Sequence, residues 1–296
     1  MRGFLISFLL MTLGLNAQNK YAQLVVDNDL FFLTDYYYSS GIFWRYGYRT
    51  TGEESSEEKV FHQWELGQEM YTPSDLYSSD VATYDYPYGG WSYLRYGRLR
   101  ALSDHQQFNW SVQTGVTGDW SLARWMQNTY HTEVLGLRKN AWLDQVPDAV
   151  HVNIKTQYFF QQPLHSFVHF HGQAHAQLGT QRTDAGLRLG FTLGSAPAIG
   201  VGENVAVNHQ KGDGFYLGAR THYVLHDYML SGSLFNNDAR FTVPLLPWRL
   251  ELESGMAIRA PRWMLSFFYR YRSPDHRLQP ASGQHLMQLR VARIFD

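Results

Sequence analysis

Apolar and polar residues alternate with a period of two over much of this chain. In TDAGLRLGFTLG, Ala185, Leu187, Leu189, Phe191 and Leu193 fall on one side, and Asp184, Arg188 and Thr192 on the other. Trp263, Leu265, Phe267, Tyr269 and Tyr271 alternate with Ser266, Arg270 and Arg272 in the same way. Near the end, Met287, Leu289, Val291 and Phe295 alternate with Gln288, Arg290 and Ala292. A sustained period of two predicts strands with one apolar and one polar face. About twelve such segments follow one another, an even number, as a closed single-chain barrel requires. They lie near residues 20–27, 42–50, 59–70, 91–100, 106–116, 149–162, 164–179, 183–195, 213–226, 246–259, 262–272 and 284–295.

If both ends of the chain lie on the periplasmic side, every second connection is external. The connections 28–41, 71–90, 117–148, 180–183, 227–245 and 273–283 then share one rim. One of them reads as a helix. Leu122, Trp125, Met126 and Thr129 recur at helical spacing, with Ser121 placed as an N-cap and Gly136 as a terminator. Gln127 and His131, four apart, fall on one face of it.

The first residues carry a different pattern. Arg2 precedes the apolar run Gly3 to Leu15, and Ala17 offers a small residue for cleavage. This predicts a secretory signal peptide over residues 1–17, leaving 18–296 as one domain. The run is short of the ~20 apolar residues of a spanning helix, and no second run approaches that length.

Composition agrees with an exported barrel. Mean hydropathy is only -0.36, yet 16% of residues are aromatic, with 20 Tyr, 18 Phe and 9 Trp. Alternating lipid-facing and lumen-facing residues produce this combination. The fold class read from the sequence is therefore all-β, a transmembrane antiparallel β-barrel of about twelve strands with a short helix in an external loop. A soluble sandwich or lipocalin-like barrel competes with it. A net charge of -1 leaves no basic excess for a phosphate backbone, which argues against nucleic acid as partner. The absence of cysteine excludes disulfides and thiolate chemistry.

The stretch VDNDLFFLTDYYYSSG collects Asp27, Asn28, Asp29, Asp35, Ser39 and Ser40 between two strands. Asn28, Asp29 and Asp35 offer the hard oxygens that suit calcium, although Asn and Asp also initiate ordinary turns. A hydrolase working near neutral pH needs a group that exchanges protons there, as histidine does without special tuning, so His131 is the candidate general base. Gln127, one turn earlier, can hold the imidazole or an attacking water; both can equally serve loop packing. Ser39 and Ser40 are candidate aligners or nucleophiles, or simply strand-start hydroxyls. His165, His169, His171 and His175 share one strand face, a pattern open to a transition metal, but that face continues into Gln173 and Gln177 as a wet lumen would. Arg188, Arg220 and Arg270 call for acids such as Asp184, Glu251 and Glu253. The run EESSEEK at 53–59 reads as a solvated turn.

Taken together, DNDLFFLTDYYYSSG, LGQEMYTPSD followed by YPYGGW, and VTGDWSLARWMQNTYH resemble the outer-membrane lipid A 3'-O-deacylases, the LpxR family. Weaker likeness continues in GVGENVAVNHQKGDGFYLGAR and YMLSGSLF, so the resemblance covers nearly the whole mature chain. It implies a twelve-stranded barrel in the outer membrane of a Gram-negative bacterium. It also implies a site near the outer-leaflet end, between barrel wall and loop helix. The implied activity is calcium-dependent hydrolysis of the ester holding the 3'-acyloxyacyl chain, with lipid A or lipopolysaccharide and membrane lipids as partners. His131 matches the family's base with Gln127 its helical neighbour, Asn28 and Asp29 match its asparagine–aspartate pair, and Asp35 its next aspartate. Ser39 stands where the family has threonine. The loop from Tyr71 to Trp91 lacks the lysine some members place there, and Asp275 in RSPDHRLQ is a loose match to an acidic-aromatic element. An outer-membrane phospholipase A-type esterase and a non-catalytic structural or channel barrel are the alternatives. Oligomeric state stays open.

Overall fold

The structure is a computed structural model that describes residues 20–295 apart from 33, 51–58 and 196–210. The expected signal peptide and all but Lys59 of the acidic run at 53–59 lie outside the described residues. Twelve strands form one closed barrel. They are β1 (Lys20–Asn28), β2 (Tyr37–Arg49), β3 (Lys59–Thr72), β4 (Gly89–Ser103), β5 (Gln106–Thr117) and β6 (Val150–His165), then β7 (Val168–Gly179), β8 (Arg182–Gly194), β9 (Gly212–Asp227), β10 (Trp248–Arg259), β11 (Trp263–Arg272) and β12 (Gln284–Phe295). Each pairs antiparallel with its neighbours in sequence, and β1 closes on β12 from Lys20↔Phe295 to Asn28↔Met287. Closure leaves no strand edge unpaired, which the hydrocarbon core of a bilayer demands. Among the described residues no helix is long and apolar enough to cross a membrane.

The alternation read from the sequence sorts inside from outside. Leu187, Leu189, Phe191 and Leu193 are exposed on the outer face, while Asp184, Arg188 and Thr192 are buried in the lumen. Strand β2 begins five residues before its expected start. A bulge between Tyr38 and Ser40 leaves Tyr37, Tyr38 and Ser39 all buried, so no period-two contrast marks them. At the inner rim Tyr46, Trp64 and Tyr96 are direct cross-strand partners on β2, β3 and β4, a segment of the aromatic girdle that outer-membrane barrels carry at the interface.

The lumen is lined by ion pairs. Glu253 takes Arg188 at 2.5 Å and Arg270 at 3.2 Å, and Glu251 takes Arg272 at 3.3 Å and Arg220 at 3.6 Å. Glu65 holds Arg95 at 2.8 Å and also Arg45. Asp184, expected to pair with arginine, instead meets His175 at 3.0 Å. Buried pairs of this kind contribute little net stability, but losing one partner strands a buried charge at a cost of ~3–5 kcal/mol. They thus fix which side chains face inward.

The external connections close the outer mouth. Tyr37, Tyr71, Tyr86, Trp91 and Tyr93 pack with Tyr228, Met229 and Leu230 of the short helix α2 (Tyr228–Ser231) in one buried cluster. Tyr86 donates its hydroxyl hydrogen to Asp275 Oδ2 at 3.0 Å, which places Asp275 in this plug.

Candidate active site

The loop between β1 and β2 is built around Asp29. Its carbonyl accepts from the Phe32 N–H at 2.9 Å and the Thr34 hydroxyl at 3.1 Å, and its carboxylate accepts the Tyr36 N–H at 3.1 Å. These bonds are the turn-forming role that an aspartate commonly takes. They deliver Asp35 to the rim, where Thr72 of β3 donates to its carbonyl at 3.0 Å. Gln284 of β12 secures the loop from the other side, donating to the carbonyls of Tyr36 at 2.5 Å and Tyr38 at 2.8 Å.

The second component is the helix α1 (Ala123–Tyr130), continued as one wider turn over His131–Leu135. Gly136, at φ +67°, ends it as expected, in a left-handed conformation that glycine adopts without strain. The start differs from expectation by one residue. Leu122, at φ +60°, is the capping position, while the Ser121 hydroxyl accepts the Ala123 N–H at 3.3 Å. Ser121 also accepts through its carbonyl from Gln68 of β3 at 2.8 Å and Ser92 of β4 at 2.7 Å. A Cβ on Gly90 would lie 2.3 Å from the Ala123 Cβ, so only glycine lets the helix sit this close to β4.

Strand alternation gives the side on which this happens. Glu65, Glu69 and Tyr71 of β3 and Trp91 and Tyr93 of β4 line the lumenal cavity, a space of about 240 Å³. Gln68, Met70, Thr72, Gly90 and Ser92 therefore point away from the lumen. Helix α1 lies against the outer surface of the barrel wall, on β3 and β4. Asp35, Gln127 and His131 do not line the lumenal cavity.

Ala123, Gln127 and His131 form the buried face of the helix, while Leu122 and Trp125 are 58% and 65% exposed. The apolar spacing that marked the helix in the sequence is thus partly its outward face. Turned inward, Gln127 and His131 share one carboxylate. Asp35 Oδ1 accepts from Gln127 Nε2 at 3.2 Å, and Oδ2 lies 3.0 Å from His131 Nε2. Since an ionised carboxylate only accepts, His131 Nε2 carries the proton and Nδ1 keeps its lone pair. Nδ1 is buried and has no hydrogen-bond partner among the described residues. The arrangement holds an imidazole by one nitrogen and leaves the other free to take a proton.

Trp142 completes it, donating its indole N–H to Gln127 Oε1 at 2.8 Å. This fixes the Gln127 amide so that its NH2 faces Asp35. Trp142 has φ +48° and stacks on Tyr88, ring centroids 4.9 Å apart. Asn128 brings the returning chain into place by accepting the Asn140 N–H at 2.8 Å. The sequence does not point to Trp142, because nothing in AWLD signals a left-handed tryptophan.

The remaining expected residues lie nearby in different ways. Asn28 is the last residue of β1 and pairs with Ser40, which pairs with Met70, which pairs with Gly90. This row crosses four strands on the outer face, ending under the helix. Ser39 sits on the bulge, its hydroxyl donating to the Met70 carbonyl at 3.5 Å rather than to His131. Asp29 is 1% exposed. Burial pushes its carboxyl up to about 7, and the nearby Asp35 charge adds to this against the Tyr36 hydrogen bond. Two carboxyl groups in mutual repulsion, one of them buried, fit a hard cation, and the amide oxygen of Asn28 is of the same donor class. The second external loop contains no lysine or arginine, but Arg138 lies 3.7 Å over the Tyr77 ring.

A sequence model of the family described as Outer membrane protein LpxR matches residues 4–295. No individually curated protein matches the chain. Among solved structures, LpxR from Salmonella typhimurium is similar at a TM-score of 0.76 and 16% identity, covering 93% of this chain and 100% of that one. The β domain of the Bordetella autotransporter BrkA gives a TM-score of 0.48 at 12% identity, covering 94% and 98%. The match extends across the whole barrel and both halves of the site, and the chain belongs to the LpxR family of outer-membrane proteins.

Proposed function

We propose that this barrel is an outer-membrane lipid A deacylase that hydrolyses the ester of the 3'-acyloxyacyl chain by His131-activated water. The observation that carries this reading is the free, buried Nδ1 of His131 opposite an Asp35-bound Nε2. Nδ1 takes a proton from water, the hydroxide adds to the acyl carbonyl, and the proton then passes to the departing alkoxide. Asp35 holds the imidazole in the required tautomer and balances the imidazolium charge; Gln127 and Trp142 position Asp35. Asn28 and Asp29 would hold calcium, which when bound supplies positive charge against the developing oxyanion. Ser40, in register with Asn28, borders the same surface. The bond from Ser39 to the Met70 carbonyl favours the water route over an acyl-enzyme on Ser39.

A lipid substrate accords with the outward face of the helix. Leu122, Trp125 and Val134 are each more than half exposed there, as is Trp120 in the turn before the helix, the placement of residues that enter the headgroup and acyl boundary. The test is incubation of the purified barrel with lipid A, with calcium or with a chelator, read by mass spectrometry. The expected product has lost the 3'-acyloxyacyl mass only when calcium is present. Hydrolysis of phospholipid with lipid A intact would assign a phospholipase A-type esterase instead.

The Asp29 carboxyl gives this proposal a pH signature. Calcium binds the ionised form, whose fraction falls from ~90% at pH 8 to ~10% at pH 6 for a group titrating near 7. The calcium concentration giving half-maximal activity is therefore expected to rise about tenfold over that range. A half-saturating concentration that does not move with pH would remove Asp29 from the metal site.

A further inference from the structure

The lumen contains a second constellation, remote in chemistry from the Asp35–His131 pair. His175 of β7 and His222 of β9 are both register partners of Gly186 on β8. A Cβ at Gly186 would lie 2.7 Å from His175 Cε1 and 2.7 Å from His222 Cβ. The missing side chain lets two imidazoles from strands on either side lean together over the strand between them. Asp184, two residues from Gly186 on the same face, adds a carboxylate. The ligand atoms of His175, Asp184 and His222 all lie within 4.8 Å of one another. His175 Nε2 is 3.0 Å from Asp184 Oδ2. His222 Nε2 is buried, on a side chain 6% exposed, and has no hydrogen-bond partner among the described residues.

We propose that His175, Asp184 and His222 form a binding site for a divalent transition metal of the zinc class inside the barrel. Two imidazoles and one carboxylate are a donor set that zinc accepts, with a fourth position left for water. All three residues line the lumenal cavity, which supplies that water. Glu251 stands 4.0 Å from His222 Nε2 and contributes negative charge. The nearby guanidiniums are already engaged, Arg182 by Asp227 and both Arg220 and Arg272 by Glu251. On binding, His175 gives up its hydrogen bond to Asp184 and takes the tautomer protonated at Nδ1, so no net proton is required of it. The four histidines of the 165–175 tract do not converge. His171 bonds Thr192 at 2.7 Å and His165 lies by Ser166 in the turn; among the described residues only His175 finds metal-ligating partners on other strands.

The test uses the purified, chelator-treated barrel in detergent, with zinc and cobalt(II) as probes. One zinc per chain is expected to survive dialysis, and cobalt(II) is expected to give the visible absorption of a four-coordinate N/O site. His222→Ala and His175→Ala, each shown to be folded by its heat-modifiable gel mobility, are expected to lose at least about a hundredfold in zinc affinity. His131→Ala is expected to keep the zinc, which separates this site from the imidazole outside the barrel wall. Equal zinc binding by the wild type and both lumenal variants, or none by the wild type, would overturn the proposal. A failed lipid A assay would leave it untouched, since neither readout depends on hydrolysis.

Discussion

His131→Ala is expected to lower lipid A hydrolysis by about a thousandfold or more while leaving the barrel folded, general-base assistance being worth ~10²–10⁴. The side chain sits on an external loop and touches no lumenal ion pair, so the strand register does not depend on it. Among the described residues its one polar side-chain contact is with Asp35, and removing it leaves that carboxylate bonded to Gln127 at the other oxygen. Mass spectrometry of lipid A from cells producing the two forms reads the effect directly. Unchanged deacylation in the variant, with gel mobility confirming insertion, would move the base elsewhere.

Asp35→Asn tests the tautomer argument and should cost nearly as much, despite its isosteric fit. Trp142 donates to Gln127 Oε1, so Gln127 must present its NH2 to residue 35. An asparagine there answers with its oxygen and turns its own NH2 toward His131 Nε2. That nitrogen must then accept, which moves the imidazole proton to Nδ1 and removes the lone pair that takes a proton from water. The expected loss is ~10²–10⁴ in kcat with KM little changed. Trp142→Phe frees the Gln127 amide to flip, and in the Asp35→Asn background it is expected to restore part of the activity. A double variant no faster than Asp35→Asn alone would mean that the carboxylate acts through its charge and not through the tautomer.

Much of the barrel is readable in the sequence because a wall between lipid and a polar lumen imposes period two on every strand. Leu187, Leu189 and Phe191 against Asp184 and Arg188 state both faces at once. Where the bulge at Tyr38–Ser40 breaks the period, the strand boundary disappears from view, and the start of β2 is not legible in the sequence for that reason. The site is harder to read. Asp35 and His131 are brought together by a loop and a helix far apart in sequence, and no local spacing encodes their contact; only the resemblance to a family joined them. The helix itself shows in its apolar spacing, but Leu122 and Trp125 face away from the wall, where on the proposed function they meet lipid. The lumenal trio was invisible for another reason. It depends on register across β7, β8 and β9, and on a glycine whose contribution is the absence of a side chain.

The outward set of α1, with its aromatic and aliphatic side chains standing off the barrel wall, bears on how turnover is to be measured. On the proposed function the site takes its substrate from the leaflet, and so meets it in two dimensions. The relevant concentration is the mole fraction of lipid A in the surface, not its amount per volume of buffer. In mixed micelles, inert detergent added at constant bulk lipid A is therefore expected to slow the reaction in proportion to the dilution of the surface. A rate indifferent to that dilution would mean that lipid A reaches His131 from water, and that the exposed Trp125 and Leu122 serve some other contact.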